Sequence, residues 1–142
     1  MNRQGSARWE GAYREGKGTL TSESGTLLKT PFSYASRYDN ASGTNPEELL
    51  ATAHAACYTM ALAAQLGASG VKPDSIYTTA TVTAEKDVGD YKITGIHLDV
   101  TARIPGVEWL IFNRAVENAR GSYALSTSTK FKITVEAKLS AM

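Results

Sequence analysis

Residues 45–67 read NPEELLATAHAACYTMALAAQLG, and this stretch decides the fold. Asn45 is a good helix N-cap, and Pro46 suits the first helical position, where a backbone N–H would have no partner anyway. Glu48 stands three residues after the cap, and Gly67 is a natural stop. The spacing predicts a helix of about 20 residues whose apolar and small side chains cover nearly the whole circumference, the pattern of a buried helix. A membrane span is the rival reading. Alanine dominates the run, His54 and Gln65 interrupt it, and no other segment is lipid-compatible, so a core helix is preferred.

Downstream of Lys72-Pro73 two alternating strands are predicted. Ile76, Thr78, Ala80, Val82 and Ala84 share one face of the first; Tyr91, Ile93, Gly95 and His97 alternate in the second, which continues through Val100 to Ile104. Asp87 to Asp90 joins them as a hairpin loop containing Gly89, and Pro105-Gly106 ends the pair. Glu108 to Arg120 reads as an amphipathic helix, and a last strand runs from about Lys130 to Leu139 with Phe131, Ile133, Val135 and Ala137 on one face. Upstream, Ala7 to Arg14 forms a strand around Trp9 and Tyr13. Gly16-Lys17-Gly18 reads as a turn, Thr19 to Ser22 as a second strand and Phe32 to Tyr34 as a third. The glycine pair is no phosphate loop, because no long helix follows at the needed spacing. The order β-β-β-α-β-β-α-β, richer in hairpins than crossovers, predicts an α+β chain with a largely antiparallel sheet. One sheet of this size cannot cover a helix buried all round, so a second copy of the chain is expected to complete its burial.

The chain has 142 residues, which sets a single domain over 1–142 as the expectation, and 42% hydrophobic residues, enough for a core. Lys and Arg total 15 against 14 Asp and Glu, a net charge of +1, which excludes nucleic-acid binding through bulk positive charge. The opening MNRQGSARWEG has no apolar core of a secretory signal, so a cytoplasmic protein is expected. The single cysteine, Cys57, excludes an internal disulfide and any CxxC metal or redox motif.

Cys57 lies in mid-helix between Ala56 and Tyr58. Inert packing as a small apolar residue is one reading; a reactive thiol is the other, and it requires a cation near the sulfur. The helix dipole does not serve, because Cys57 is about three turns from the N-terminus and that effect fades within one turn. His54, three residues earlier, shares a face with Cys57 and reads either as a base or neighbouring cation, or as a buried histidine bonded to a backbone carbonyl. A metal site is not indicated, because the other histidine, His97, sits on a strand with no partner motif. Glu47 and Glu48 complement the dipole in the first turn, and Arg37, in the loop SYASRYDN, alone reads as a surface arginine.

Taken together, Trp9-Glu10-Gly11, Gly16-Lys17-Gly18-Thr19, Ser22-Glu23-Ser24-Gly25 and above all Thr44-Asn45-Pro46-Glu47-Glu48-Leu49 followed by Ala53-His54-Ala55-Ala56-Cys57 resemble the family of osmotically inducible protein C (OsmC) and organic hydroperoxide resistance protein (Ohr). The run AHAAC points to the OsmC branch. The resemblance implies an intertwined homodimer without metal, flavin, haem or other cofactor, acting as a thiol-dependent peroxidase on organic hydroperoxides and hydrogen peroxide. It makes Cys57 the attacking thiol, Arg37 its partner and Glu47 the carboxylate that orients that arginine. No nucleic-acid or membrane partner is implied.

The chain departs from the family at one place. The family's second cysteine, in a Cys-Pro-Val-Ser run after the second helix, is replaced: Tyr123 stands at the cysteine position and Ala124 at the proline. The readings left open are a one-cysteine peroxidase regenerated by an external thiol, a disulfide between copies, or a ligand-binding protein that has lost turnover. In the last, Tyr123 is a wall of the pocket, and His54 is the other candidate substrate contact. Finally, Glu47 and Cys57 on one unbroken helix are about 15 Å apart along its axis and roughly 80° around it. This predicts a site shared between subunits; a helix break between Thr52 and Ala55 is the alternative.

Overall fold

A computed structural model describes residues 1–140, as two compact units that divide between Leu49 and Leu50. In the first, β1 (Gly5–Glu10), β2 (Lys17–Ser22) and β3 (Thr30–Phe32) form an antiparallel sheet in that order. Gly18 pairs with Trp9 on one side and Phe32 on the other. A β-carbon at Gly18 would lie 2.4 Å from the Phe32 ring and 2.7 Å from the Trp9 ring. Glycine therefore lets the two rings close over the strand, with centroids 5.5 Å apart.

Four local expectations are corrected here. Lys17 and Gly18 belong to β2 rather than to a turn, which falls at 13–15. The third strand ends at Phe32, and the first spans Gly5–Glu10 rather than Ala7–Arg14. The segment read as a loop is a short helix, α1 (Tyr34–Tyr38). Ser33 and Ser36 start it through a reciprocal capping box, each side chain accepting from the other's backbone N–H at 3.0 and 2.8 Å. Arg37 thus sits in a helical last turn, not in a loop.

Helix α2 (Pro46–Ala68) starts in the first unit and runs through the second without a break. The second unit adds β4 (Ser75–Asp87), β5 (Asp90–Arg103), α3 (Trp109–Ser122), α4 (Ala124–Thr127) and β6 (Lys132–Leu139). β4 and β5 form the expected hairpin, closed at Asp87–Asp90, with a register shift at Thr83/Ala84. The expected antiparallel character holds for three of the four strand pairings, β1–β2, β2–β3 and β4–β5. β6 lies parallel to β5, from Gly95 opposite Lys132 to Ala102 opposite Leu139. The chain crosses back through α3 and α4 to the end where β5 began, and a crossover of that kind yields a parallel neighbour.

The core follows from two periodicities. Ile96, Leu98, Val100 and Ala102 alternate inward from central strand β5, and Phe112, Ala115, Val116 and Ala119 line one face of α3. Along α2 the buried side chains are His54, Tyr58, Leu62 and Leu66, a fourfold spacing that keeps them on one face. By length and composition α2 could cross a bilayer, but its Tyr58, Leu62 and Leu66 belong to the core cluster with β5 and α3. Burial within one chain is thus a single stripe rather than the whole circumference. The opposite side, including Ala53, Ala56, Met60, Ala63 and Ala64, is left exposed.

Candidate active site

Two groups of candidate residues form, one in each unit. In the first, the end of β3, α1 and the start of α2 are tied by short hydrogen bonds. Ser36 Oγ donates to the Thr44 carbonyl at 2.7 Å, and Asn45 Nδ2 donates to the Ser36 carbonyl at 3.2 Å. Asn45 also caps α2, accepting from the Glu48 N–H at 2.8 Å, while Thr44 Oγ1 donates to Glu48 at 2.7 Å. This bracing fixes the last turn of α1 against the first turn of α2.

Arg37 and Glu47 meet there. Arg37 Nε donates to Oε1 and Oε2 of Glu47 at 3.0 and 3.2 Å, and Nη2 donates to Oε1 at 2.8 Å. The planar fork is held on one edge, and Nη1 has no hydrogen bond among the described residues. A lysine could not be oriented this way, since it lacks the fork. Bonding to Glu47 raises the Arg37 pKa further above its ordinary value against the opposing effect of burial, so the guanidinium is permanently charged. It lies 5.2 Å from the Tyr38 ring centroid. Beside it is a cavity of about 220 Å³ walled by Trp9, Tyr13, Phe32, Tyr34 and Tyr38. This aromatic cavity was not anticipated. Its signal was compositional: five of the chain's twelve aromatic residues precede Pro46.

In the second unit Cys57 is a free, half-buried thiol packed against the core. One turn earlier His54 is fully buried. Its Nδ1 is 2.8 Å from the Tyr123 hydroxyl, so its partner is that phenol and not the backbone carbonyl expected as one reading. Nε2 of His54 has no partner among the described residues. Burial holds the imidazole below its ordinary pKa, hence neutral. Tyr123 is 2% exposed and meets Tyr58 edge to face at 5.7 Å. Burial, and then the charge of Cys57, push its phenol up to about 12, so it remains protonated and in electrostatic reach of the thiol. Tyr123 is therefore a fixed part of the core.

The structure thus joins Arg37 to Glu47, and His54 to Tyr123. Helix α2 carries both Glu47 and Cys57, and it is continuous through residues 52–55, so the anticipated alternative of a break there is not observed. His97 differs from its reading as a histidine with no partner motif: Asp99, two residues along the same strand, and Glu136, set there by strand pairing, lie beside it.

The family model described as OsmC-like protein matches residues 39–138. The chain is 39% identical over 139 residues to Peroxiredoxin OsmC of Escherichia coli (strain K12), covering 98% of this chain and 97% of that protein; Peroxiredoxin OsmC of Shigella flexneri matches to the same extent. The organic hydroperoxide resistance protein OhrB of Bacillus subtilis superposes with a TM-score of 0.71 at 25% identity, over 96% of this chain and 98% of that one. An OsmC-like protein from Mycoplasma pneumoniae shares the fold at a TM-score of 0.74 with 15% identity, over 98% and 97% of the two chains. Sequence similarity over almost the full length, a matching family model and a shared fold agree: this chain belongs to the OsmC family.

Proposed function

We propose that this protein is a thiol-dependent peroxidase that reduces organic hydroperoxides in the cytoplasm as a homodimer, using Cys57 alone and an external thiol. The observation that carries this reading is the Arg37 fork fixed by Glu47 at 2.8 to 3.2 Å beside an aromatic cavity. Such a cavity accepts the apolar body of a hydroperoxide, and the guanidinium offers donors to its oxygens. The relatives named peroxiredoxin and hydroperoxide resistance protein support the same chemistry.

In the first half-reaction the Cys57 thiolate attacks the hydroxyl oxygen of ROOH. The S–O bond forms as the O–O bond breaks, and RO⁻ leaves, stabilised by Arg37 and protonated to ROH. Cys57 becomes a sulfenic acid. An external thiol then attacks the sulfenic sulfur, expelling water and forming a mixed disulfide. A second thiol releases the oxidised donor and restores Cys57. Tyr123 and His54 bound the thiol's surroundings.

Because Glu47 and Cys57 are ten residues apart on a continuous helix, the Arg37–Glu47 pair of one subunit serves the thiol of the other. The uncovered side of α2, with Met60 75% exposed, supplies an apolar surface for that pairing. The second reading is a hydroperoxide-binding protein without turnover, favoured by one observation: Tyr123, which the family resemblance sets where a second cysteine would stand, is locked to His54 at 2.8 Å.

The test adds cumene hydroperoxide and follows Cys57 by intact mass. The proposal expects rapid gain of one oxygen atom in the wild type, none in Cys57→Ser, and loss of most of the rate in Arg37→Ala. Slow oxidation indifferent to Arg37 supports the binder. Mixing Cys57→Ser with Glu47→Gln chains tests the sharing: a mixed dimer regains one intact site only if the sites are built across subunits.

A further inference from the structure

We propose that the outer face of the second sheet carries a binding site for a divalent first-row transition-metal ion, formed by His97, Asp99 and Glu136. The site is independent of the thiol chemistry above.

The placement follows from strand geometry. His97 and Asp99 are two residues apart on β5, so both side chains stand on one face, opposite the buried Ile96, Leu98 and Val100. The parallel register sets Thr134 opposite His97 and Glu136 opposite Asp99. Four polar side chains thus form a square across two paired strands, and β5 is the central strand of its sheet. Side chains on a central strand are held by backbone pairing on both sides, which favours a well-positioned site.

The atoms are arranged for ligation. Nδ1 of His97 is 2.6 Å from Thr134 Oγ1. With Nδ1–H donating to that hydroxyl, the Nε2 lone pair is the one available to a metal, and the ring is oriented by an outer partner, as in established histidine–metal sites. Nε2 lies 3.3 Å from Asp99 Oδ1 and 4.0 Å from Glu136 Oε2, and one ligand atom of each of the three residues lies within 4.8 Å of the others. Ligands at 2.0–2.2 Å around a tetrahedral ion are separated by about 3.4 Å. The histidine–aspartate distance already matches, and the Glu136 side chain, 81% exposed, is free to move the remaining fraction.

The ligand chemistry selects the class of ion. One imidazole and two carboxylates offer two negative charges to a doubly charged cation. They suit zinc and its neighbours better than soft copper(I), which prefers sulfur, or magnesium, which prefers an all-oxygen shell rich in water. The remaining positions are open to solvent. A shallow cavity lined by Thr83, Thr94, Thr134 and Lys132 adjoins His97 and gives water room there. Without an ion, the same groups form only a polar cluster on the sheet surface, which is the competing account.

The experiment is titration of the full-length, reduced protein with zinc chloride by isothermal titration calorimetry, without peroxide. The proposal expects one zinc ion per chain, undisplaced by millimolar magnesium. His97→Ala weakens binding by at least about tenfold, with Asp99→Asn and Glu136→Gln each weakening it, and Cys57→Ser binds as the wild type does. His97→Gln, which retains a hydrogen bond to Thr134, provides a second variant should His97→Ala perturb the strand. Absence of binding, binding unchanged in both His97 variants, or binding lost in Cys57→Ser each overturns it. None of these readouts depends on peroxidase turnover, so failure here leaves the Cys57 reading untouched, and the reverse.

Discussion

Replacing Tyr123 by phenylalanine removes one oxygen atom and leaves the ring that packs against Tyr58. The lost group is the hydroxyl 2.8 Å from His54 Nδ1, in a pair where the tyrosine is 2% exposed and the histidine fully buried. A neutral hydrogen bond contributes about 1 kcal/mol net, and a buried polar group left alone costs about 1–3 kcal/mol. Nε2 of His54 is already without a partner among the described residues, so the variant strands both ring nitrogens. The expected loss is therefore about 2 kcal/mol, or roughly 6–8 °C in melting temperature for a chain of this size. Thermal unfolding followed by circular dichroism at pH 8 and one fixed protein concentration measures it. His54→Leu removes the other half of the pair, and combining the two changes replaces a polar pair by an apolar one. The double variant should be more stable than the sum of the single losses predicts, with a coupling of about 1–2 kcal/mol. A Tyr123→Phe melting point within a degree of wild type, with additive behaviour in the cycle, would refute the view that this pair is a buried unit.

The Arg37–Glu47 pair should behave in the opposite way. Its side chains are 39% and 23% exposed, so Glu47→Gln should change stability by less than about 1 kcal/mol, while stopped-flow thiol oxidation slows by about tenfold or more. Gly18→Ala pushes a methyl group against Phe32 and Trp9; unfolding should show a loss of about 1–3 kcal/mol. His54 is held below its ordinary pKa in the folded state, so the unfolded chain takes up its proton first as pH falls. Stability should be level above about pH 7.5 and decline below about pH 6.5. Denaturant titrations across that range should show less decline in His54→Leu than in the wild type.

Helix α2 was legible because its signals are local: Asn45, Pro46 and the apolar run each act within a few residues of the chain. The β4–β5 hairpin was legible for the same reason, since alternation and a glycine turn are short-range. What escaped was non-local. Nothing in Lys132 to Leu139 says whether its partner runs with it or against it; the length of the crossover decides. Helix α1 was hidden in five residues, too short for a period, although Ser33 and Ser36 carry its capping signal. At the site, Arg37 and Glu47 were named through family resemblance, not through any local pattern, and they do meet. The His54–Tyr123 bond joins positions 69 residues apart, and the cluster at His97 depends on strand register, so neither could be read along the chain.

The parallel pairing of β6 also governs when the sheet can be finished. The β4–β5 hairpin can zip as soon as both strands leave the ribosome, but the far side of β5 then presents bare amide and carbonyl groups until 28 further residues have been made. The strand that covers that border follows α3 and α4 in the chain, so premature termination anywhere in those helices leaves a hairpin with an open, adhesive margin. Newborn chains that stall there should cling to one another, and shielding by a chaperone matters most in that interval.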